Sequence, residues 1–322
     1  MSFVEMFFNK IISLLTFTLL LSCSSSAQQF LFKVLVSSGK VEYRMPSTDT
    51  WSKVKTGDNL NDNSQLKLDK DSYAALMYND GRTLEMMNEG IFEVKDLERT
   101  IQASKMTVTQ KFANFVADEI IMDKSKGKHM KEFAAVVRVK PLYIESAFPS
   151  FTSVMESDIN FSWYEFPGTK SYVFSILNLE NTPIFMDLVE DTIYSVDAEE
   201  LKLNKGTPYK WFVTDAENPN ITSDTNSIII VSDTDRDLIQ DTLRVLNEEI
   251  ESNKTPLNYL SMGFFYERNN LNLEALSLFN KVISIAPESE EYKLLFAQFL
   301  INNKLYTRVS ELLKEEDIVN EN

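Results

Sequence analysis

The period of the apolar residues changes along this chain, and that change constrains its fold more than any other feature. Through most of the sequence up to Val231 the apolar positions alternate, which lines one face of a β-strand. From Asp233 onward they recur every three or four residues, which lines one face of a helix. In the first part, Phe30 to Val36 reads as a strand, Ser38-Gly39 as a tight turn, and Lys40 to Met45 as a second strand with Val41, Tyr43 and Met45 on one face. Asn79-Asp80-Gly81 is the clearest hairpin signal, because asparagine and glycine tolerate the positive φ of a tight turn; it joins Tyr73–Tyr78 to Arg82–Met86. Alternation returns between Pro141 and Val231, in Ile159/Phe161/Trp163, Tyr172/Phe174/Ile176 and Tyr209/Trp211/Val213, at the strand density of a sandwich. Between these regions, Leu97 to about Ile121 reads as a helix with Val108, Phe112, Phe115, Val116 and Ile120 on one stripe. A basic loop, Lys124 to Lys131, follows and reads as a solvated linker. The expected fold class is therefore multidomain α+β: a small antiparallel β-domain over 30–97, a helix and basic linker over 98–132, a β-sandwich over 140–232, antiparallel helices over 234–316 and an acidic tail over 317–322.

The first residues read as an export leader. An apolar run from Ile11 to Leu21 follows Lys10 and precedes the small residues Ser24 to Ala27. At about 1.5 Å per residue this core is too short for a permanent membrane span. Residues 1–22 are the expected signal peptide. Leu20-Leu21-Ser22-Cys23 ends at the single cysteine of the chain, so no intrachain disulfide can form and folding rests on packing. This stretch resembles the lipobox of bacterial lipoproteins, and the resemblance makes Cys23 the lipid anchor of a periplasm-facing membrane protein. Cleavage near Ala27 by an ordinary signal peptidase, giving a soluble periplasmic or secreted protein, also fits the small residues there. The formal net charge of −16 repels phosphate backbones and argues against nucleic acid as a partner.

Three further resemblances rest on residues. Gly39, Trp51, Gly57-Asp58, Leu60, Leu66, Ser72 to Leu76 and Gly81 stand in the order of a FecR-type β-domain, whose W-x-x-V-x-x-G-D-x-L stretch appears as Trp51 to Leu60. Trp163, Gly206 ahead of Tyr209-Lys210-Trp211, and a closing Ile228 to Val231 strand resemble a fibronectin type III-like module. Tyr259, Gly263, Tyr266, Ala275, Phe279 and Pro287 are spaced as in a tetratricopeptide repeat, predicting helices over about Leu257–Asn269 and Leu273–Ile285 with Asn269-Asn270 at the turn. One repeat cannot bury both its faces, so neighbours are expected before it and over Glu290 to Leu313.

Residues for catalysis are sparse. The one histidine, His129, sits in the lysine-rich loop without a cysteine partner, so neither a zinc site nor a histidine-based triad assembles. No phosphate loop or Gly-x-Gly-x-x-Gly is present, and nucleotide binding has no support. Asp233-x-Asp235-x-Asp237 starts like a calcium loop but has Leu238 and Arg244 where glycine and glutamate belong; capping of a helix beginning at Thr234 explains it better. No catalytic residue, metal or cofactor is expected. The function expected is that of a non-enzymatic envelope scaffold or adaptor that binds a protein or peptide through the repeat-like helices, with Leu257, Tyr259, Leu260 and Tyr266 as candidate contacts and the β-modules as spacers. The alternative is a cell-wall binder that stacks peptidoglycan or another glycan on Trp51, Trp163 or Trp211.

Overall fold

The computed structural model describes residues 30–103 and 142–314. The leader with Cys23, residues 104–132 of the predicted helix and linker with His129, and the acidic tail lie outside the described residues. The observed architecture is mixed α+β, with antiparallel sheets in the N-terminal half and helices at the C-terminal end.

The first unit stacks two four-stranded sheets. Strands β1 (Phe32–Ser38), β4 (Asn59–Leu60), β6 (Tyr73–Tyr78) and β7 (Thr83–Met86) form one, in the order β4-β1-β6-β7. Strands β2 (Val41–Arg44), β3 (Ser52–Lys53), β5 (Gln65–Leu68) and β8 (Gly90–Glu93) form the other, in the order β3-β2-β5-β8. The β6–β7 hairpin turns at Asn79-Asp80-Gly81, with Gly81 at φ 93° and its N–H bonded to the Tyr78 carbonyl at 2.9 Å. At the β1–β2 corner Gly39 has φ 74°, and a Cβ there would meet Ser72 Oγ at 2.8 Å, so both conformation and space demand glycine. Helix α1 (Val94–Gln102) turns Val94, Leu97 and Ile101 into the core between the sheets, beside Phe32, Leu66 and Leu76.

The second unit is a sandwich. Strands β9 (Phe151–Val154), β11 (Tyr172–Leu177), β12 (Pro183–Val189), β14 (Pro208–Asp215) and β15 (Asn226–Ile230) make a five-stranded sheet ordered β12-β11-β14-β15-β9. Within it β15 and β9 run parallel and the other pairs antiparallel. Strands β10 (Asp158–Ser162) and β13 (Ile193–Asp197) pair opposite it. Aromatic rings fill the space between: Phe161 lies 4.9 Å from Trp211 and 5.0 Å from Phe174, and Phe148 5.4 Å from Trp211.

Five helices follow: α2 (Asp233–Ser252), α3 (Pro256–Arg268), α4 (Asn272–Ile285), α5 (Glu290–Asn302) and α6 (Tyr306–Lys314). The cap of α2 is Ser232, whose hydroxyl accepts from the Asp235 N–H at 3.2 Å, and not Thr234 as the sequence suggested. Thr234 lies inside the first turn, because the helix already begins at Asp233. Thr255 caps α3 with Pro256 at its first position, and Asn270 takes φ 58° in the turn to α4. Gly263 stands opposite α4, but a Cβ on it would meet Leu278 Cβ at 3.6 Å and Phe279 at 3.7 Å, which is ordinary contact.

The helices do not stand apart from the β-units. Strand β6 is buried on both faces, as its unbroken apolar run allows. Ala74, Leu76 and Tyr78 face the core of the first unit, while Tyr73 and Ala75 face the other way into one cluster with Leu35, Val36, Leu257, Leu260, Phe279 and Tyr292. The outer face of the first sheet is thus roofed by α3, α4 and α5. On its other side the helical layer meets the sandwich, where the Asn270 carbonyl accepts from the Ser153 N–H at 2.7 Å and Asn303 from the Ser150 N–H at 3.1 Å.

Candidate functional site

A helix begins with backbone N–H groups that have no partner within it, so its N-terminus attracts oxygen acceptors and negative charge. Three of the C-terminal helices take those acceptors from the β-units. At α3 the carboxylate of Glu85, on β7, accepts from the Leu257 N–H at 3.0 Å and from the Thr255 hydroxyl. At α4 the hydroxyl of Thr152, on β9, accepts from the Asn272 N–H at 3.0 Å. At α6 the carboxylate of Glu145 accepts from the Thr307 N–H and hydroxyl, both at 2.7 Å.

Glu85 anchors the largest of these contacts. Its carboxylate also accepts from the Tyr73 hydroxyl at 2.5 Å, and that hydroxyl lies 2.9 Å from Tyr292 on α5. Burial pushes the Glu85 carboxyl up from the usual carboxylate range, and the bonds from Thr255, Tyr73 and Leu257 hold it back. Burial likewise raises both tyrosines well above their ordinary value. Thr56 of the first unit completes the contact by donating to Glu291 in the first turn of α5.

The four candidate contact residues divide. Leu257 and Leu260 are each 0% exposed and pack in the shared cluster, so in the folded chain they support the helical layer from beneath. Tyr259 and Tyr266 are only partly buried and lie where that cluster meets a second one built on Leu243, Leu246, Met262 and Phe265. Glu85, Glu145 and Thr152 were not singled out from the sequence. No local pattern marks them, because each acts on a helix more than a hundred residues away.

Among the three tryptophans, Trp163 and Trp211 are 3% and 0% exposed in the sandwich core, which removes them as stacking surfaces for a sugar. Trp51 is partly exposed, but Arg44 stands over its ring at 4.8 Å and Lys67 at 5.8 Å. Beside it a cavity of about 220 Å³ is lined by Arg44, Met45, Asp49, Gln65 and Glu93 among others. Arg44 is committed within that wall, to Gln65 at 2.6 and 3.1 Å and to Asp49 at 3.2 Å, and Gln65 donates to Glu93 at 2.5 Å. Four of its polar side chains, Arg44, Asp49, Gln65 and Glu93, are thus bonded to one another. Among the described residues no group of three or more histidine, cysteine or acidic side chains is placed to hold a metal ion, and no helix is long and apolar enough to cross a membrane.

No known family's sequence profile matches the chain, and no curated protein does. Among solved structures, the chain is similar to the crystal structure of the chicken CNTN1 FN1–FN3 domains, with 9% sequence identity and a TM-score of 0.22. The match covers 64% of this chain and 57% of that one, so this chain spans less than two thirds of that structure's length.

Proposed function

We propose that this chain is a non-enzymatic scaffold or adaptor of the bacterial cell envelope, which binds a protein or peptide partner through its C-terminal helices. In this reading the helices are a tetratricopeptide-like unit, the first β-unit is FecR-like and the sandwich is fibronectin type III-like. Cys23 is the lipid anchor that holds the protein on a membrane facing the periplasm. What supports the reading above all is that the helical layer already works as a receptor within the chain: the N-termini of α3, α4 and α6 take Glu85, Thr152 and Glu145 from two separate β-units. A layer that holds two β-units through helix N-termini and a shared apolar face has the chemistry of a protein-binding surface. Tyr259 and Tyr266 are the contacts carried forward, since they remain partly exposed and pair an apolar ring with a polar tip.

A photo-crosslinking residue placed in turn at Tyr259, Tyr266 and Leu260 tests this in the native cell. The two tyrosine positions are expected to capture one common partner and the buried leucine position none. Equal capture at all three positions, or at none, rejects the helical contact. The anchor is tested separately by Cys23→Ala, which is expected to release the protein from membranes; retained association rejects it.

A further inference from the structure

The two edges of the five-stranded sheet are finished differently. At β9 the free edge is closed by the helices: Ser153 donates to the Asn270 carbonyl at 2.7 Å, and Asn272 Nδ2 donates to the Phe151 carbonyl at 2.8 Å. At the opposite edge, β12 runs for seven residues and pairs only with β11 among the described residues. Its outer face carries Ile184, Met186 and Leu188 at 40, 57 and 62% exposure. A long exposed edge whose outward side pairs with no strand, beside an apolar face, is a template for another strand.

The charge around this edge decides what kind of strand. Between Lys170 and Lys202 the sequence has no lysine or arginine, while Glu180, Asp187, Glu190 and Asp191 are all exposed. Lys210 reaches the turn before β12, where it is held by the Leu179 carbonyl at 3.0 Å and by Asn181 at 2.9 Å. Asp187 stands midway along the edge, fixed by the Tyr194 hydroxyl at 2.6 Å and accepting from the Leu188 N–H at 2.8 Å. The Ala216 N–H bonds the Ser171 carbonyl, so β11 turns the backbone groups of Tyr172, Phe174 and Ile176 toward Val189, Asp187 and Phe185 of β12, and the Leu188 amide faces away from β11. By the two-residue period of a strand, the Met186 amide faces outward with it. A second copy of the chain fits badly here: antiparallel pairing about Met186 brings Glu190 and Asp191 of each copy beside Glu180 of the other.

We propose that β12 is a docking edge for an extended segment of another polypeptide, apolar at alternate positions and carrying lysine or arginine at its ends and opposite Asp187. This surface is independent of the helical contact under Proposed function, and either can fail without the other.

The probe is a synthetic peptide, Lys-Val-Thr-Val-Lys-Val-Thr-Val-Lys, set against the same peptide with glutamate for lysine, both added to the full chain. The lysine peptide is expected to bind saturably, to slow hydrogen exchange at the Met186 amide, and to bind at least about tenfold more tightly than the glutamate peptide. Asp187→Lys is expected to erase or reverse that preference. Met186→Pro, tolerable because its N–H points outward, is expected to abolish binding while the urea midpoint stays close to that of the parent. If Met186→Pro unfolds the sandwich, the exchange and charge-reversal results decide alone. The proposal is overturned if the lysine peptide leaves β12 amides unprotected, or if the two peptides bind alike to the parent chain. It is overturned equally if sedimentation shows a dimer held by this edge.

Discussion

Two half-buried glutamates respond in opposite directions to loss of the carboxylate. Burial raises the carboxyls of Glu85 and Glu274 above their ordinary value, so each holds its proton more tightly in the folded chain than in the unfolded one. Such a group favours folding most below its unfolded pKa, around pH 4.5, and that contribution is lost as pH rises through the folded value. The two differ in their neighbours. Glu85 meets three donors, so Glu85→Ala leaves Tyr73, Thr255 and the Leu257 N–H without their acceptor and is expected to cost about 1–3 kcal/mol in urea unfolding at neutral pH. Glu274 has a buried oxygen, Oε2, with no hydrogen-bond partner, and the nearby charge of Glu156 raises its pKa further. Glu274→Gln is therefore expected to stabilise the protein at pH 7, with the gain shrinking as the pH is lowered through 4.5. A pH series of unfolding curves for the parent and Glu274→Gln checks this; a gain that grows in acid contradicts it.

At the scale of the elements, the helical pair shows what spacing can and cannot say. Helices α3 and α4 were legible because Pro256, the Asn269-Asn270 turn and an apolar stripe each mark a boundary or a face locally. The hairpin at Asn79-Asp80-Gly81 was legible for the same reason, since its backbone requirement is met by residues within the turn. The role of Gly263 was not. Its place in the repeat pattern suggests a close approach of two helices, yet the gap to Leu278 and Phe279 accepts a methyl group. Gly263→Ala is thus expected to raise stability by about 0.5–1 kcal/mol, the difference between the two residues in a helix interior. Destabilisation in a denaturant titration would instead show that α3 and α4 close further than 3.6 Å contact allows. The split of Leu257 and Leu260 from Tyr259 and Tyr266 was equally hidden, because core and surface positions of a stacked helix use the same apolar residues and only the neighbour on the far side distinguishes them.

At the scale of the whole molecule that neighbour is the chain's own N-terminal sheet. The apolar run Tyr73 to Tyr78 announces a strand covered on both faces, but the cover lies more than a hundred and seventy residues away and no local pattern names it. The consequence is cooperative. Tyr73 and Ala75 bury the outer face of β6 against Leu257, Leu260 and Tyr292, so unfolding of either layer uncovers apolar residues of the other, although the first unit keeps a separate core between its own sheets. The parent chain is expected to lose the first β-unit and the helices in one transition. Ala75→Lys separates the two causes of stability, since the residue is 0% exposed on the helix-facing side while its neighbours Ala74 and Leu76 still fill the inner core. An unpaired lysine driven into that contact costs several kcal/mol, enough to part the layers without emptying the space between the first unit's own sheets. Hydrogen exchange followed through a urea titration is expected to show two midpoints in Ala75→Lys, with the helices opening first, and one in the parent. A single shared midpoint in the variant would mean that the contact through β6 does not carry the coupling between the two layers.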